Sequence, residues 1–242
     1  MTAMCRRSPR ALVVLLATAA FLASTIVGPA STPASADTGE ITTFTYPAET
    51  VTNPSGITAG PDGNLWVTLG AGFGGCCEAI GRLTPDGVVT RFSDPDGYWG
   101  GLGTIALGPD ANLWFTYDGN PAIGRVTTAG TITEFTGLPG SGLGIASGAD
   151  GNLWFTVNGD DRIGRITTAG SITYYDDPAG HIDYPKHIVT GGDGNVWFTS
   201  VRNNRIGRIT PAGEITTFAD PAGQISALSG ITAGPDGNVW FT

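Results

Sequence analysis

The sequence predicts an all-β fold, a β-propeller built of four-stranded antiparallel blades. The first observation is a phrase of the type Gly-Ile-Thr-Ala-Gly-Pro-Asp-Gly-Asn-Leu-Trp-Val-Thr, which begins at Gly56 and occurs in five versions. The second is its period, because the repeated tryptophans lie 48, 40, 43 and 43 residues apart, at Trp66, Trp114, Trp154, Trp197 and Trp240. A period of about 40–45 residues, made of short apolar segments and Gly-rich turns, is typical of propeller blades.

Each repeat contains four predicted strands, which we name A to D from the central channel outward. In the first repeat they cover residues 56–59, 65–68, 79–84 and 88–92. The Asp-Gly turns after Pro61 and Pro85 connect strands A to B and C to D. They predict antiparallel hairpins, because tight hairpin turns need residues that tolerate a positive φ.

The repeats predict four complete blades and part of a fifth. The complete blades cover residues 56–92, 103–135, 144–175 and 187–218, and the fifth contributes strands A and B from Gly230 onward. Gly39–Phe44 matches a D strand, and an N-terminal strand often closes a propeller as the outer strand of its final blade. We therefore expect this strand to close a longer propeller whose inner strands are C-terminal. A complete five-bladed ring is the alternative.

Residues 1–36 predict a secretory signal peptide, which leaves 37–242 as the propeller. Three arginines precede the uncharged apolar stretch 11–27, and Ala34-Ser35-Ala36 fits a signal-peptidase site. We expect a secreted protein whose mature chain starts at Asp37. A twin-arginine signal and an uncleaved anchor are the alternatives.

The charge of the chain excludes two classes of partner. The sequence has 21 acidic and 12 basic residues, and removal of the leader takes away three arginines, so the mature net charge is −12. Such a surface repels phosphate backbones and anionic headgroups. We expect no nucleic-acid and no membrane partner, and a monomer when the propeller is complete.

The repeated residues predict structural roles. Recurrent tryptophans are expected in the core between blades rather than as stacking surfaces for a ligand. The arginine of each Gly-Arg pair in strand C is expected to bind backbone carbonyls or turn aspartates of a neighbouring blade. The turn aspartates themselves are interpreted as turn formers.

Departures from the repeat predict a ligand site at one mouth of the channel, where the B–C loops and the D–A loops meet. The first departure is a five-residue insertion in the B–C loop of blade one, which holds Cys76 and Cys77. In a secreted protein this pair could form a vicinal disulfide, link to another chain, bind a metal, or only stiffen the loop.

The second departure is Tyr98-Trp99, in the loop between blades one and two. The two aromatic rings could form a stacking platform for a ring or sugar, or pack as a lid against blade two. The third departure is the segment between blades three and four, which contains both histidines and the lysine of the chain. Its candidate ligand-binding residues are His181, Asp183, Tyr184, Lys186 and His187.

Two roles in proton transfer are considered for this third segment. His181 and Asp183 could form a proton-transfer pair, or His187 could act as a base at the channel mouth. A solvated loop without a chemical role is the alternative. The sequence predicts a small-molecule or peptide ligand at this mouth.

The repeat resembles that of the virginiamycin B lyase (streptogramin B lyase) family. The phrase at Gly56 and the phrase Arg-Ile-Gly-Arg-Ile-Thr-Pro-Ala-Gly-Glu-Ile-Thr-Thr-Phe, at 205–218, carry this resemblance over Gly39–Thr242. It implies seven blades, hence roughly 300 residues. It also implies a magnesium-dependent carbon–oxygen lyase that linearises a cyclic depsipeptide antibiotic by elimination. A non-catalytic secreted propeller that binds a cell-wall, peptide or protein ligand is the alternative, and a lactone hydrolase is a third possibility.

The resemblance places a histidine just before the Gly-Ile of strand A and a glutamate just after the Trp-Phe-Thr of strand B. The first position holds Ser55, Gly103, Leu143, Lys186 and Ser229. The second position holds Leu69, Tyr117, Val157 and Ser200. Neither residue is present at these positions, and His187 lies one place late. Either later blades carry the catalytic residues, or the chain is a relative without lyase chemistry.

Overall fold

The computed structural model describes residues 2–7, 11–16, 41–47, 50–71, 78–93 and 99–242. These residues form β-strands joined by turns and loops, with side chains described from Thr43 onward. No helix in these ranges is long and apolar enough to cross a membrane.

Four sheets of four strands each correspond to the predicted complete blades. Blades one and two comprise β4 (Pro54–Ala59), β5 (Leu65–Leu69), β6 (Ala79–Leu83), β7 (Val89–Phe92), β8 (Leu102–Leu107), β9 (Leu113–Tyr117), β10 (Ala122–Val126) and β11 (Ile132–Thr136). Blades three and four comprise β12 (Gly142–Ser147), β13 (Leu153–Val157), β14 (Arg162–Ile166), β15 (Ile172–Tyr175), β16 (Pro185–Thr190), β17 (Val196–Ser200), β18 (Arg205–Ile209) and β19 (Ile215–Ala219). The fifth unit comprises β20 (Ile231–Ala233) and β21 (Val239–Phe241).

The strands of each blade lie in sequence order and pair antiparallel, which confirms the predicted blades. The first strands of successive blades, β4, β8, β12, β16 and β20, pack beside one another. They are therefore the innermost strands. Each of the four complete blades has a register shift near the start of its first strand, where β4, β8, β12 and β16 pair with the end of the second strand.

The tryptophans of blades one to three form the core between blades, as predicted. Trp66 and Ile80 of blade one pack into a cluster that otherwise belongs to blade two. Trp114 packs against blade three in the same way, and Trp154 packs against blade four. All three indoles are fully buried, so they cannot serve as stacking surfaces for a ligand.

The turn between the first two strands is organised by its aspartate, which confirms the predicted role. In blade three, Asp150 accepts hydrogen bonds from the Asn152 amide N–H (3.2 Å) and from Trp154 Nε1 (3.1 Å). Burial by itself raises the pKa of Asp150, but these hydrogen bonds and the charge of Arg165 outweigh burial and lower that pKa below 3.8. The other four turns make the same two contacts.

The arginine of the third strand joins two blades in blades one to three, as the sequence predicts, whereas Arg208 of blade four donates to Thr216 of its own blade. Arg82, Arg125 and Arg165 donate to a backbone carbonyl in the C–D turn of the following blade, at 3.1, 3.1 and 3.4 Å. Arg125 and Arg165 also lie 3.9 and 3.7 Å from the turn aspartates Asp110 and Asp150 of their own blades. The guanidinium groups of Arg125 and Arg165 also lie over the stacked aromatic rings of their own blades, which adds cation–π contacts.

The N-terminal strand differs in part from its prediction. The structure forms a sheet from β1 (Thr2–Arg7), β2 (Ala11–Leu16) and β3 (Ile41–Phe44), in which β3 pairs parallel to β2. A blade would instead require an antiparallel C strand beside β3. The ring of Phe44 nevertheless lies against Gly87 in the C–D turn of blade one, as a preceding blade's outer strand requires. The predicted leader 1–36 stays a prediction, and its cleavage site lies outside the described residues.

Candidate functional site

The predicted site lies at one end of the strands, on the side of the molecule that we call the mouth face. The start of each first strand pairs with the end of the second strand, so the D–A loop before the first strand and the B–C loop after the second strand lie on this same side. The pairs are Pro54 with Leu69, Leu102 with Tyr117, Gly142 with Val157, and Pro185 with Ser200. The third predicted segment and Trp99 therefore share this face. Cys76, Cys77 and Tyr98 lie outside the described residues.

Trp99 is a packing residue, so the stacking-platform hypothesis is wrong for this side chain. Its ring is 1% exposed and packs against Phe115 and Tyr117, with centroid distances of 5.8 and 6.0 Å. The carboxylate of Glu78 accepts the backbone N–H groups of Trp99 (3.0 Å) and Gly101 (2.7 Å). Apolar burial and two charge-assisted hydrogen bonds together hold this loop against blade two, which is the predicted lid-packing alternative.

The segment between blades three and four begins with a turn organised by Asp177. Its carboxylate accepts the backbone N–H groups of Ala179 (3.0 Å) and His181 (2.6 Å). The His181 ring places Nδ1 3.9 Å from Asp177 Oδ2. The predicted His181–Asp183 pair is therefore wrong: the carboxylate near the imidazole comes from the start of the Asp-Pro-Ala-Gly turn, four residues before the histidine.

Asp183 and Tyr184 instead contact Arg202 of the next B–C loop. The guanidinium of Arg202 lies 4.6 Å from the centre of the Tyr184 ring and 3.9 Å from Asp183 Oδ1. Tyr184 has a φ of +56°, and its N–H donates to Asp161 Oδ1 at 2.7 Å. A non-glycine residue in the left-handed region carries strain, which these contacts compensate. The result is a partly exposed aromatic ring with a cation beside it.

Ser200 connects this segment to blade four. Its Oγ accepts the Asp183 N–H at 2.8 Å and lies 2.7 Å from Asn203 Oδ1. Ser200 is fully buried and occupies the position where the resemblance implies a glutamate. The corresponding Leu69, Tyr117 and Val157 are also fully buried, and Tyr117 donates from its hydroxyl to Glu134 at 2.6 Å. In the described blades this position therefore serves packing and loop attachment.

The residues at the histidine position contribute their backbone to contacts between blades. The carbonyls of Gly103, Leu143, Lys186 and Ser229 accept hydrogen bonds from buried strand-B threonines of the preceding blade, at 2.8, 3.1, 3.1 and 3.4 Å. The donors are Thr68, Thr116, Thr156 and Thr199. Among the described blades, this position therefore carries a structural contact that any residue type can make.

His187 lies on β16 at the mouth end of the innermost strand. Its N–H donates to Thr199 Oγ1 (3.1 Å), and its Nδ1 lies 2.6 Å from the Ser229 carbonyl oxygen of the next unit. Burial lowers the pKa of His187 below the ordinary 6.5, the Ser229 hydrogen bond partly offsets this, and the charge of Lys186 lowers it further. The neutral ring therefore donates from Nδ1–H to Ser229, and Nε2 carries no proton.

Thr104 occupies the same position in blade two, which sequence reasoning missed. Its Oγ1 donates to the Leu143 carbonyl (3.0 Å) and accepts the Ile145 N–H (3.0 Å) of the next blade. Blades one and three have glycine here, at Gly56 and Gly144. Thr104 and His187 thus place a polar side chain where two other blades have glycine, and each side chain bonds to the backbone of the next blade. This departure from glycine was the signal that the sequence offered.

The described residues form no cluster of side chains that would by itself hold the magnesium ion that the resemblance implies. They contain no group of three or more His, Cys, Asp or Glu side chains that could hold a metal. Asp177, Asp183 and Asp161 are engaged with backbone N–H groups or with Arg202, as described above. Magnesium prefers oxygen ligands and is usually held by one or two carboxylates together with water, so a carboxylate free of such contacts would be required.

Comparison with known proteins gives consistent matches over most of the chain. The sequence model of the virginiamycin B lyase family matches residues 48–242. A segment of 40 residues is 52% identical to virginiamycin B lyase of Bordetella parapertussis, covering 16% of this chain and 12% of that protein. A solved streptogramin B lyase structure matches with a TM-score of 0.70 and 39% identity, covering 78% of this chain and 62% of that one.

A second solved structure contains a bound compound. It is a catalytically inactive histidine-to-alanine variant of virginiamycin B lyase from Staphylococcus aureus with quinupristin. The match has a TM-score of 0.72 and 35% identity, and it covers 82% of this chain and 66% of that chain. The chain therefore spans just under two thirds of the length of both solved relatives.

Proposed function

The chain belongs to the virginiamycin B lyase family. We propose that it acts as a carbon–oxygen lyase that linearises a macrocyclic depsipeptide of the streptogramin B class. The observation that carries this proposal is the family match over residues 48–242, with a relative of 35% identity that is structurally similar and holds quinupristin. The mouth face is the proposed location of the ligand. Fold alone does not assign an activity, so the proposal depends on the family and on the site.

The proposed reaction is an elimination at the ester-linked threonine residue of the macrocycle. A base takes the proton from the α-carbon, the electron pair of that bond forms a double bond to the β-carbon, and the β-carbon–oxygen bond breaks. The carboxylate of the former ester leaves, and the ring opens without addition of water. The α-proton is weakly acidic, so a base held in position lowers the barrier.

Within the described residues, His187 is the side chain best suited to take up a proton. Its Nδ1–H is held by the Ser229 carbonyl at 2.6 Å, which leaves Nε2 as the basic nitrogen. Its lowered pKa keeps the ring neutral at neutral pH. His187 lies one place after the position at which the resemblance implies a histidine. Its role as the base is therefore proposed for this chain and is not carried over from the family. We assign no step to magnesium, because the described residues form no group that would hold it.

The direct test is incubation of the purified protein with quinupristin, followed by liquid chromatography and mass spectrometry. Elimination predicts a linear product with the same mass as the macrocycle, whereas ester hydrolysis adds the mass of one water molecule. Reactions with added magnesium and with EDTA test the metal requirement that the family implies. A hydrolysis product would contradict the proposed reaction class.

A non-catalytic binding function is the second candidate, and one observation favours it. In the described blades, the histidine position and the glutamate position hold neither residue, and the side chains at the glutamate position are buried. Calorimetric titration with quinupristin distinguishes the two functions. Saturable binding without turnover favours a binding protein, turnover that is lost in His187→Gln supports the lyase with His187 as base, and absence of both contradicts the proposal.

Export is proposed separately from the activity. The sequence predicts cleavage after Ala36, and neither the fold nor the comparisons bear on it. N-terminal sequencing of the protein recovered from the medium of its own host tests this prediction. A mature chain that starts at Asp37 is the expected result.

A further inference from the structure

Blade four departs from the repeat at two positions of the mouth face, one in each loop. In the B–C loop, the second residue after the second strand has a short side chain or none in blades one to three: Ala71, Gly119 and Gly159. In the D–A loop, the same holds for the third residue before the first-strand position of Gly56 and its equivalents: Asn53, Gly101 and Ser141. Blade four has Arg202 at the first position and Tyr184 at the second. Both large side chains therefore occur in the same blade.

The backbone at Tyr184 favours a residue with a smaller side chain. Tyr184 has a φ of +56°, and the equivalent Asn53, Gly101 and Ala227 have φ values of +38°, +99° and +54°. Glycine and asparagine adopt this left-handed region readily, whereas a bulky residue there is an outlier. The apolar residue that this loop contributes to the core cluster is Ile182. A tyrosine at this position is thus a strained choice that the core does not require, which points to a role of the ring at the surface.

The Tyr184 ring and the Arg202 guanidinium are held together by the backbone of both loops. The N–H of Val201 donates to the Tyr184 carbonyl at 3.2 Å, and the N–H of Arg202 donates to the Asp183 carbonyl at 3.3 Å. The guanidinium lies 4.6 Å from the centre of the Tyr184 ring, and the Arg202 side chain is 65% exposed. The two groups, which we call the Tyr184–Arg202 pair, therefore present a supported planar cation to solvent.

The charges beside the Tyr184–Arg202 pair select against an anionic ligand. Asp183 Oδ1 lies 3.9 Å from the guanidinium, and Asp161 Oδ1 accepts the Tyr184 N–H at 2.7 Å. A carboxylate brought to Arg202 would meet both aspartates, and like charges in contact weaken binding. A guanidinium is weakly hydrated and stacks on aromatic faces. An uncharged aromatic ring therefore gains the contact with Arg202 without this repulsion.

We propose that the Tyr184–Arg202 pair is a binding site for an uncharged aromatic ring of a peptide ligand. The ring stacks on the side of the guanidinium that faces away from Tyr184. The site takes part in recognition and carries no step of the reaction. The proposal rests on the proposed function only for the whole ligand, a macrocyclic depsipeptide, since the stacking contact is a property of the pair itself.

The test is an NMR titration of the full chain with N-acetyl-phenylalaninamide as the aromatic probe. Arginine Nε–Hε signals report on each guanidinium, and the spectrum of Arg202→Ala identifies the signal of Arg202. We expect a saturable upfield shift of this signal, because a stacked ring shields the protons above its face. N-acetyl-leucinamide and acetate serve as matched apolar and anionic controls, and their shifts should not saturate. Absence of a saturable shift with the aromatic probe overturns the proposal, as does saturation with acetate instead.

Two variants separate binding of the probe from folding. Tyr184→Asn introduces the residue that blade one has at the same left-handed position, so the melting temperature should not fall. The probe should nevertheless bind about three- to tenfold more weakly, as followed by the Arg202 signal. Arg202→Lys keeps the charge but loses the planar group, and it should weaken binding by a similar factor, as followed by the ring signals of Tyr184. Wild-type affinity in both variants, or a large loss of stability in Tyr184→Asn, overturns the proposal.

Turnover of quinupristin distinguishes this site from the proposed function. Arg202→Lys should raise KM by about three- to tenfold, and this rise should exceed any fall in kcat, because the pair binds the ligand without reacting. His187→Gln should lower kcat instead. Saturable binding of the aromatic probe without any turnover supports the site and contradicts the lyase. Turnover without binding of the probe overturns the site and leaves the lyase in place.

Discussion

The loop before blade two and the loop before blade four occupy equivalent places on the mouth face, yet they expose different residues. In the first loop, Trp99 is 1% exposed and lies against Phe115 and Tyr117. In the second loop, Ile182 is 5% exposed within the core cluster, and Tyr184 extends beside Arg202. Among the described residues of the two loops, each loop therefore buries one apolar residue, and Tyr184 of the second loop is a partly exposed aromatic ring.

The comparison shows that each loop between blades needs one apolar anchor. Where an aliphatic residue serves as anchor, a neighbouring aromatic residue is free for another role. The anchors are Val51, Trp99, Leu138 and Ile182, each 1–6% exposed. An aromatic residue in such a loop is therefore not by itself evidence of binding, because its distance from the next strand decides whether it packs.

The largest expected effect comes from removing the anchor of the first loop. Trp99→Ala removes a buried indole from a packed cluster and should lower the free energy of unfolding by about 3–5 kcal/mol. Tyr184→Ala, the matched change in the second loop, should lower it by less than about 1 kcal/mol. Urea unfolding followed by circular dichroism measures both. Equal losses for the two variants would contradict the distinction between the loops.

A smaller effect is expected from the carboxylate that holds the first loop. Glu78→Gln replaces one of two acceptor oxygens with an amide NH₂ that faces the backbone N–H of Trp99 or Gly101. Loss of a charge-assisted acceptor should cost about 1–3 kcal/mol of stability. The same unfolding measurement applies, with Glu214→Gln on blade four as a control. A Glu78→Gln protein as stable as the wild type would show that burial of Trp99 holds the loop alone.

A still smaller effect on stability is expected in the second loop. Arg202 is largely exposed, so Arg202→Ala should change the free energy of unfolding by no more than about 0.5–1 kcal/mol. If this loop binds a ligand, the variant should bind quinupristin more weakly while its melting temperature stays close to that of the wild type. A large drop in melting temperature would assign Arg202 to structure instead.

The smallest expected effect is a pH dependence at the end of the second loop. His187 has a lowered pKa, so the unfolded chain binds its proton more readily than the folded chain. Its contribution to stability is present above pH 6.5 and is lost as the pH falls through the lower, folded-state value. The difference in stability between wild type and His187→Gln should therefore change over this range and stay constant at higher pH. A constant difference throughout would mean that His187 titrates normally.

Sequence reasoning predicted the blades well because the repeat determines local structure. The spacing of the tryptophans, the Asp-Gly turns and the Gly-Arg pairs predicted four complete units and two strands of a fifth, and the structure confirms them. It also predicted that the arginines join blades, as Arg82 does. The contacts of Ser200 and Arg202 were missed, because each occurs in one blade and leaves no periodic signal. The turn at Asp177 was missed although it recurs one period later at Asp220, where the same Asp-Pro-Ala-Gly motif accepts the equivalent backbone N–H groups.

What the sequence by itself determined is therefore the repeating part of this protein: blade period, strand order, turn chemistry and the buried tryptophans. These depend on contacts a few residues apart, or one period apart. Only the tertiary structure decided that Trp99 packs, that His181 meets Asp177 rather than Asp183, and that His187 binds Ser229. The physical reason is that side-chain partners in irregular loops depend on where two loops meet in space, and on which one of several apolar residues fills the space between blades.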